Sequence, residues 1–202
     1  MQRRTFVHAA IAAAPLAVAP LAAFPSRAGA GERAGSAPGH ANAPPDRAVV
    51  VRAGEDRFGE NILLGGADAV DCRVSATDTQ GAFSVFWSET VGKRGPSLHK
   101  HPDQDEWFFV QEGSFVFRVG EEDFRLGAGD SVLAPRGVPH TWANVGEGPG
   151  RMVITFQPAG LMESFFREVA RLTPQTRLSQ EQAQTLFRSH GMETLGPPLV
   201  VE

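Results

Sequence analysis

Short apolar runs at near-regular spacing are the feature that most limits the folds open to this sequence. Between Val49 and Pro158 they recur roughly every ten residues and are divided by Gly, Pro, Asp and Asn. Runs of this length and spacing, bounded by turn residues, are typical of an antiparallel sandwich or barrel. The clearest are AFSVFWSETV, EWFFVQEG, SFVFRVG, DFRLGAG, DSVLAP, HTWANVG and RMVITFQP. The sequence therefore predicts an all-β barrel over residues 49–158.

The periodicity changes after this region. Apolar residues over 161–172 recur at helical spacing, and a proline follows them. A second helix is predicted over 179–191, with a Ser–Gln capping box at its start and a glycine at its end. Residues 159–202 are therefore predicted to be a helical extension that closes one end of the barrel or packs on its outside.

The first thirty residues have the order of an export signal. Arg3-Arg4 is followed by a soft apolar stretch over 9–24 and by Ala28-Gly29-Ala30, which is similar to a cleavage site. The paired arginines resemble the twin-arginine class, with an ordinary secretory signal as the alternative. We expect a periplasmic or secreted protein, with residues 1–30 removed and residues 31–48, rich in Gly, Ala and Pro, forming a flexible linker.

Net charge limits the classes of partner that the chain can bind, and cysteine content limits its disulfides. The chain has 19 basic and 23 acidic residues; residues 1–30 hold three basic residues and no acidic one, so removing them leaves 16 against 23, a net charge of −7. Such an acidic protein is a poor candidate for nucleic acid or anionic membranes, and we expect neither as a partner after signal removal. The single cysteine, Cys72, excludes an intrachain disulfide.

The chain contains one set of candidate metal ligands, which consists of three histidines and a glutamate. Residues two apart in a strand point to the same side, so His99 and His101 aim their imidazoles together. Pro102-Asp103 breaks that strand, and Glu106 follows on the returning strand, where its carboxylate can reach the same point. His140 stands at a strand start. A lone histidine is more often a hydrogen-bonded core or surface residue, but the four together favour a metal site.

Ten fixed positions in two motifs resemble the cupin family. The stretch from Gly95 to Gly113 fits G-x5-H-x-H-x4-E-x6-G, and the stretch from Gly129 to Asn144 fits G-x5-P-x-G-x2-H-x3-N. The resemblance covers roughly residues 60–158 and implies the cupin double-stranded β-helix, a jelly-roll barrel, followed here by two C-terminal α-helices. It also implies one divalent transition metal with four ligands, namely His99, His101, Glu106 and His140.

Nitrogen and oxygen donors of this kind accept Mn, Fe, Co, Ni, Cu or Zn. Twin-arginine export carries proteins that are already folded, so the metal would be chosen in the cytoplasm, away from periplasmic copper and zinc. On this hypothesis Mn or Fe is favoured, and Ni, Co, Cu and Zn stay open.

The cupin motifs alone do not fix an activity. The segment that starts at Asp105, together with the Phe-rich helix, is similar to single-domain bacterial cupins of the quercetin 2,3-dioxygenase-like group. That resemblance implies a metal-dependent dioxygenase acting on a flavonol or a similar enolisable aromatic. Glu106 would be both a ligand and the catalytic base that accepts the substrate hydroxyl proton. The alternatives are a non-catalytic periplasmic protein that binds a metal or a small molecule, and a redox-neutral isomerase.

The run Trp107-Phe108-Phe109-Val110 does not alternate between apolar and polar residues. Both faces of this strand should therefore be covered, one by the barrel interior and the other by a second layer. A homodimer would provide that cover, and the terminal helices are the alternative.

Overall fold

The computed structural model of the protein describes residues 48–174 and 178–201. The predicted export signal, residues 1–30, and the predicted linker as far as residue 47 lie outside the described residues. In the ranges described, no helix combines the length and the apolar character needed to cross a membrane.

The described strands form two antiparallel sheets. The first sheet has six strands in the order β1-β2-β3-β10-β5-β8. Its strands are β1 (Leu63–Leu64), β2 (Asp68–Val74), β3 (Ser84–Thr90), β5 (Asp105–Glu112), β8 (Ser131–Ala134) and β10 (Gly150–Gln157). The second sheet has five strands in the order β11-β4-β9-β6-β7. Its strands are β4 (Ser97–Lys100), β6 (Ser114–Val119), β7 (Glu122–Gly127), β9 (His140–Asn144) and β11 (Glu193–Pro198). The seven apolar runs of the sequence each form a strand, which confirms the all-β jelly-roll prediction.

Alternation along the strands supplies the core between the two sheets. In β3 and β10, and over most of β5 and β6, every second residue is buried. The central phenylalanines are at most 1% exposed; they are Phe86, Phe108, Phe115, Phe117 and Phe156. The rings of Phe108 and Phe117, one from each sheet, have centroids 5.0 Å apart. Burial of each such side chain stabilises the fold by about 1.5–3 kcal/mol, so these residues hold the sheets face to face.

Two helices follow the barrel, as the sequence predicts. Helix α1 spans Met162–Leu172, and α2 spans Gln180–Ser189. The predicted capping box begins α2: Ser179 Oγ accepts from the Gln182 backbone N–H, and the Gln182 side chain accepts from the Ser179 backbone N–H. Phe166 of α1 contacts Phe86 and Phe156 at the end of the barrel core. Phe187 of α2 lies against His99 of the barrel wall. The helices therefore close one end of the barrel.

Strand β11 was not expected from the sequence. Its residues, ETLGPP, contain a glycine and two prolines and fall within the predicted helical extension. In the structure they pair with β4, with Thr194 opposite His99, and the register shifts on either side of Gly196. Because β11 is an edge strand, its prolines remove hydrogen bonds only where the ladder is already irregular.

The outer face of the six-stranded sheet keeps an apolar strip. Trp107 is paired with Leu133 across β5 and β8, and these side chains are 38% and 51% exposed. The ring of Trp107 stacks on that of Phe109 at 6.0 Å. The terminal helices lie at the barrel end instead, so within the described residues they do not provide the cover that is the alternative to a homodimer.

Candidate metal centre

The structure brings together all four residues that the sequence analysis predicted as ligands. His99 lies on β4, and His101 follows the end of that strand. His140 is the first residue of β9 and stands opposite His99 in the β4–β9 pair. Glu106 reaches the same point from β5, which belongs to the other sheet. We call these four residues the histidine-glutamate cluster.

The turn after His101 explains how the two sheets meet at the cluster. The sequence predicted a chain reversal at Pro102-Asp103, and the structure shows that the reversal crosses from the five-stranded to the six-stranded sheet. A second loop fixes this crossing, because the backbone N–H of Gly137 donates to the carbonyl of His101 at 2.7 Å. Gly137 has φ +77°, a conformation that favours glycine. Both cupin-like motifs therefore contribute to the same corner of the barrel.

The distances within the cluster are close to those that one ion requires. Oε2 of Glu106 lies 3.9 Å from Nε2 of His99, 3.2 Å from Nε2 of His101 and 2.8 Å from Nε2 of His140. The candidate donor atoms all lie within 4.8 Å of one another. Donor atoms bound to one ion at about 2 Å are about 3–4 Å apart. Small side-chain adjustments would therefore suffice for all four to bind the same ion.

Hydrogen bonds on the far side of each ring set the tautomers of the histidines. Nδ1 of His99 lies 2.8 Å from the Ser97 carbonyl, and Nδ1 of His140 lies 2.9 Å from the Val138 carbonyl. A carbonyl oxygen can only accept, so in both rings Nδ1 carries the hydrogen. In a neutral ring the Nε2 lone pair then points into the cluster. This is the arrangement that metal-binding histidines adopt in proteins.

His101 has the same arrangement through a side chain. Its Nδ1 lies 2.6 Å from Oε1 of Gln104. Its Nε2 is buried and makes no hydrogen bond of acceptable geometry, although Oε2 of Glu106 is only 3.2 Å away. A lone pair facing a carboxylate in a dry interior is unfavourable without a cation between them. The orphaned nitrogen and the donor set therefore both fit a bound metal ion.

Burial and mutual contact set the charges of the cluster. Burial lowers the pKa of His99 to about 3, so this ring stays neutral. Burial alone would raise the pKa of Glu106, but His101 and His140 outweigh it and keep that pKa below its usual value. Burial alone would lower the pKa of His140, and the contact with Glu106 reverses that effect and raises it. The cluster thus holds an ionised carboxylate that needs one positive partner, which is either a proton on His140 or a metal cation.

Aromatic side chains surround the cluster. The ring of Phe187 lies 5.4 Å from His99, that of Phe156 lies 5.7 Å from His101, and that of Phe108 lies 6.3 Å from His140. The four cluster residues are between 1% and 5% exposed. Low water content strengthens each electrostatic interaction at the centre, so a cation would be held firmly there.

One family of known proteins matches the part of the chain that carries the cluster. Residues 86–156 match the Cupin domain family, and this segment contains all four residues of the histidine-glutamate cluster. The match agrees with the two-sheet barrel of the structure and covers about a third of the chain.

Two relatives of known name come from Streptomyces. The chain is 37% identical over 80 residues to "Tetracenomycin polyketide synthase protein TcmJ" of Streptomyces glaucescens, a match covering 39% of this chain and 54% of that protein. It is 32% identical over 82 residues to "Polyketide synthase CurC" of Streptomyces cyaneus, covering 40% and 53%. The chain therefore spans about half the length of these curated relatives.

Among solved structures, an RmlC-like cupin from Shewanella frigidimarina aligns with a TM-score of 0.43 and 23% sequence identity. The alignment covers 50% of this chain and 84% of that one.

Proposed function

We propose that His99, His101, Glu106 and His140 hold one divalent transition metal. The proposal rests on the convergence of three imidazole Nε2 atoms and a carboxylate in a buried core. Each Nδ1 of these histidines already donates its hydrogen to an acceptor on the far side of the ring. Three neutral imidazoles and one carboxylate would leave a divalent ion with a local charge of +1. A six-coordinate ion would keep two positions for substrate, water or dioxygen.

We further propose that this centre serves a dioxygenase acting on a flavonol or a related enolisable aromatic. The bound metal would supply Lewis acidity toward the substrate oxygen and a site for dioxygen. Glu106 would accept the hydroxyl proton at Oε2 and return it to the product. Both atoms of dioxygen would enter the ring-opened products, and the substrate would supply all the electrons, so no external reductant is needed. The aromatic rings around the cluster support a planar aromatic substrate.

The burial of the cluster favours a second candidate, a non-catalytic protein that holds the metal. No ligand is more than 5% exposed, and Phe187 lies directly against His99. A substrate could then reach the metal only after a movement of the groups that cover the cluster, of which Phe187 is one.

The test combines metal analysis with oxygen uptake. Protein produced without residues 1–30 and folded in the cytoplasm is expected to contain about one equivalent of Mn or Fe; Cu or Zn in that preparation would contradict the proposed metal selection. With a panel of flavonols and catechols, an oxygen electrode should record uptake that falls about 10²- to 10⁴-fold in Glu106→Gln, which lacks the base.

The matched control is Glu112→Gln, on the same strand but paired with Arg151 at the surface. It should keep its metal and its oxygen uptake. Metal at full occupancy without oxygen uptake would favour the non-catalytic alternative, whereas a wild-type protein that binds no metal would contradict both candidates.

A further inference from the structure

The three histidines of the histidine-glutamate cluster are not held in the same way. His99 and His140 each donate Nδ1–H to the backbone carbonyl two residues earlier, at Ser97 and Val138. These acceptors belong to the main chain, and no substitution removes them. His101 instead depends on the side chain of Gln104. Its orientation therefore rests on one replaceable residue.

The amide of Gln104 has only one orientation that satisfies both of its neighbours. Nε2 of Gln104 lies 2.6 Å from the carbonyl of Pro158, which can only accept. The amide NH2 must therefore face Pro158, and Oε1 must face His101. Because Oε1 accepts, Nδ1 of His101 carries the hydrogen, and its Nε2 is free to act as a ligand.

The backbone of Gly160 lies close against the amide of Gln104. A Cβ at this position would lie 2.7 Å from Nε2 of Gln104, and the φ of Gly160 is +56°. Gln104 is itself 8% exposed. A side chain at residue 160 would push the amide from the position in which it bridges His101 and Pro158. Pro158, which accepts from Gln104, and Gly160, which packs against it, both lie just before α1. The two hydrogen bonds of Gln104 therefore link the cluster to the start of the helical extension.

We propose that Gln104 is a positioning residue that fixes the tautomer and ring orientation of His101 and thereby sets the metal affinity of the cluster. This inference rests on the proposed metal binding. It implies that residues 158–160, at the entry to α1, act on the metal centre through a single amide.

The experiment replaces Gln104 by the near-isosteric Met, which removes both hydrogen bonds, and by Glu, which keeps the acceptor for His101. Competition titration with Co²⁺ and a chelator gives the metal affinity. Gln104→Met should weaken binding about 10- to 100-fold, as is typical when the hydrogen-bond partner of a ligating histidine is lost. Gln104→Glu, which keeps the acceptor for His101 but loses the donor to Pro158, should bind Co²⁺ more tightly than Gln104→Met. Gly160→Ala should weaken binding although Gln104 is still present.

A second measurement reads the imidazoles of the metal-free protein. Long-range ¹H–¹⁵N NMR should show the Nδ1–H form for His101 in the wild type and in Gln104→Glu, and a mixture of forms in Gln104→Met. The signals of His99 should not change. The matched control is Gln111→Met, because Gln111 lies on the surface and accepts from Trp87 Nε1 at 2.8 Å; metal affinity and tautomers should be unaltered there.

The outcomes separate this inference from the function on which it rests. If the wild type binds Co²⁺ and Gln104→Met binds it equally well, the positioning role is wrong even if that variant is less stable. If the wild type binds no Co²⁺, the proposed metal function is wrong, and the metal-affinity part of the inference is overturned with it. The NMR comparison still decides whether Gln104 controls His101.

Discussion

Asp78 is an acidic residue whose charge is stabilised at a partly buried position of the barrel. Its carboxylate accepts two hydrogen bonds from Arg57 at 2.9 Å and one from the Ser75 backbone N–H at 3.0 Å. The side chain of Asp78 is 8% exposed. The hydrogen bond from Arg57 lowers the pKa of Asp78 in spite of its burial. Asp123 and Arg118 form a similar pair at a site about half exposed.

Asp78→Asn should destabilise the protein by about 1.5–3 kcal/mol near neutral pH, since it weakens hydrogen bonds to a charged partner. The folded-state pKa of Asp78 is below its unfolded value, so its contribution is complete above about pH 4 and is lost as the pH falls through the folded-state pKa. Urea unfolding as a function of pH should therefore show the wild type and the variant converging in acid.

Asp123→Asn is the matched control, because exposed ion pairs contribute little. It should unfold almost like the wild type at every pH. A pH-independent gap between the wild type and Asp78→Asn would contradict the assigned charge interaction.

Residue spacing identified the four candidate ligands but could not identify their support. The fixed positions of the two motifs lie close together in sequence, and strand alternation places His99 and His101 on one side. The role of Gln104 depends on Pro158 and Gly160, more than fifty residues away, and no local pattern links them. Sequence therefore reveals the groups that face the centre, whereas their orienting partners follow only from the fold.

At the scale of elements, α2 and β11 together cover β4, the strand that carries His99. Phe187 of α2 lies 5.4 Å from His99 and 5.1 Å from Phe165 of α1. The two helices could be predicted from the helical spacing of apolar residues, from the proline that follows α1 and from the capping box that begins α2. Strand β11 could not, because Gly196 and two prolines are unfavourable in a strand and only the free edge of β4 makes them pair.

Phe187→Ala should destabilise the protein by about 3 kcal/mol, since it removes a largely buried ring and leaves a cavity. Hydrogen exchange should become faster in α2 and β11 than in the central strands, because the lost contact anchors these two elements. Mass spectrometry of deuterium uptake, together with urea unfolding, measures both effects.

Phe83→Ala serves as the control, as Phe83 is 39% exposed. It should change neither measurement appreciably. Uniformly faster exchange throughout the barrel would show that Phe187 stabilises the whole fold rather than the cover over β4.

At the scale of the whole molecule, we propose that the outer apolar strip contacts a second copy of the chain. Phe109 lies beside Val153, and Trp107 lies beside Leu133, so the strip is continuous across β10, β5 and β8. The nearby charges are already paired within the chain, since Arg151 binds Glu89 and Glu112. Two such faces could meet without repulsion between like charges, as a two-fold dimer requires.

We therefore predict a homodimer that Trp107→Lys disrupts, because the substitution places an unpaired charge at the centre of the contact. Sedimentation velocity of the full chain should show a shift from dimer to monomer. Leu161→Lys is the control, since Leu161 is 54% exposed but lies at the start of α1. A wild-type monomer at high concentration would contradict the prediction.

Strand β11 also has a consequence for the order of events during synthesis. Its partner β4 is made nearly one hundred residues earlier, and contacts of such long sequence separation form late. The edge of β4 beside His99 stays uncovered until the ribosome has passed residue 198. If the cluster binds an ion only with β11 in place, that ion is bound after this region has been translated.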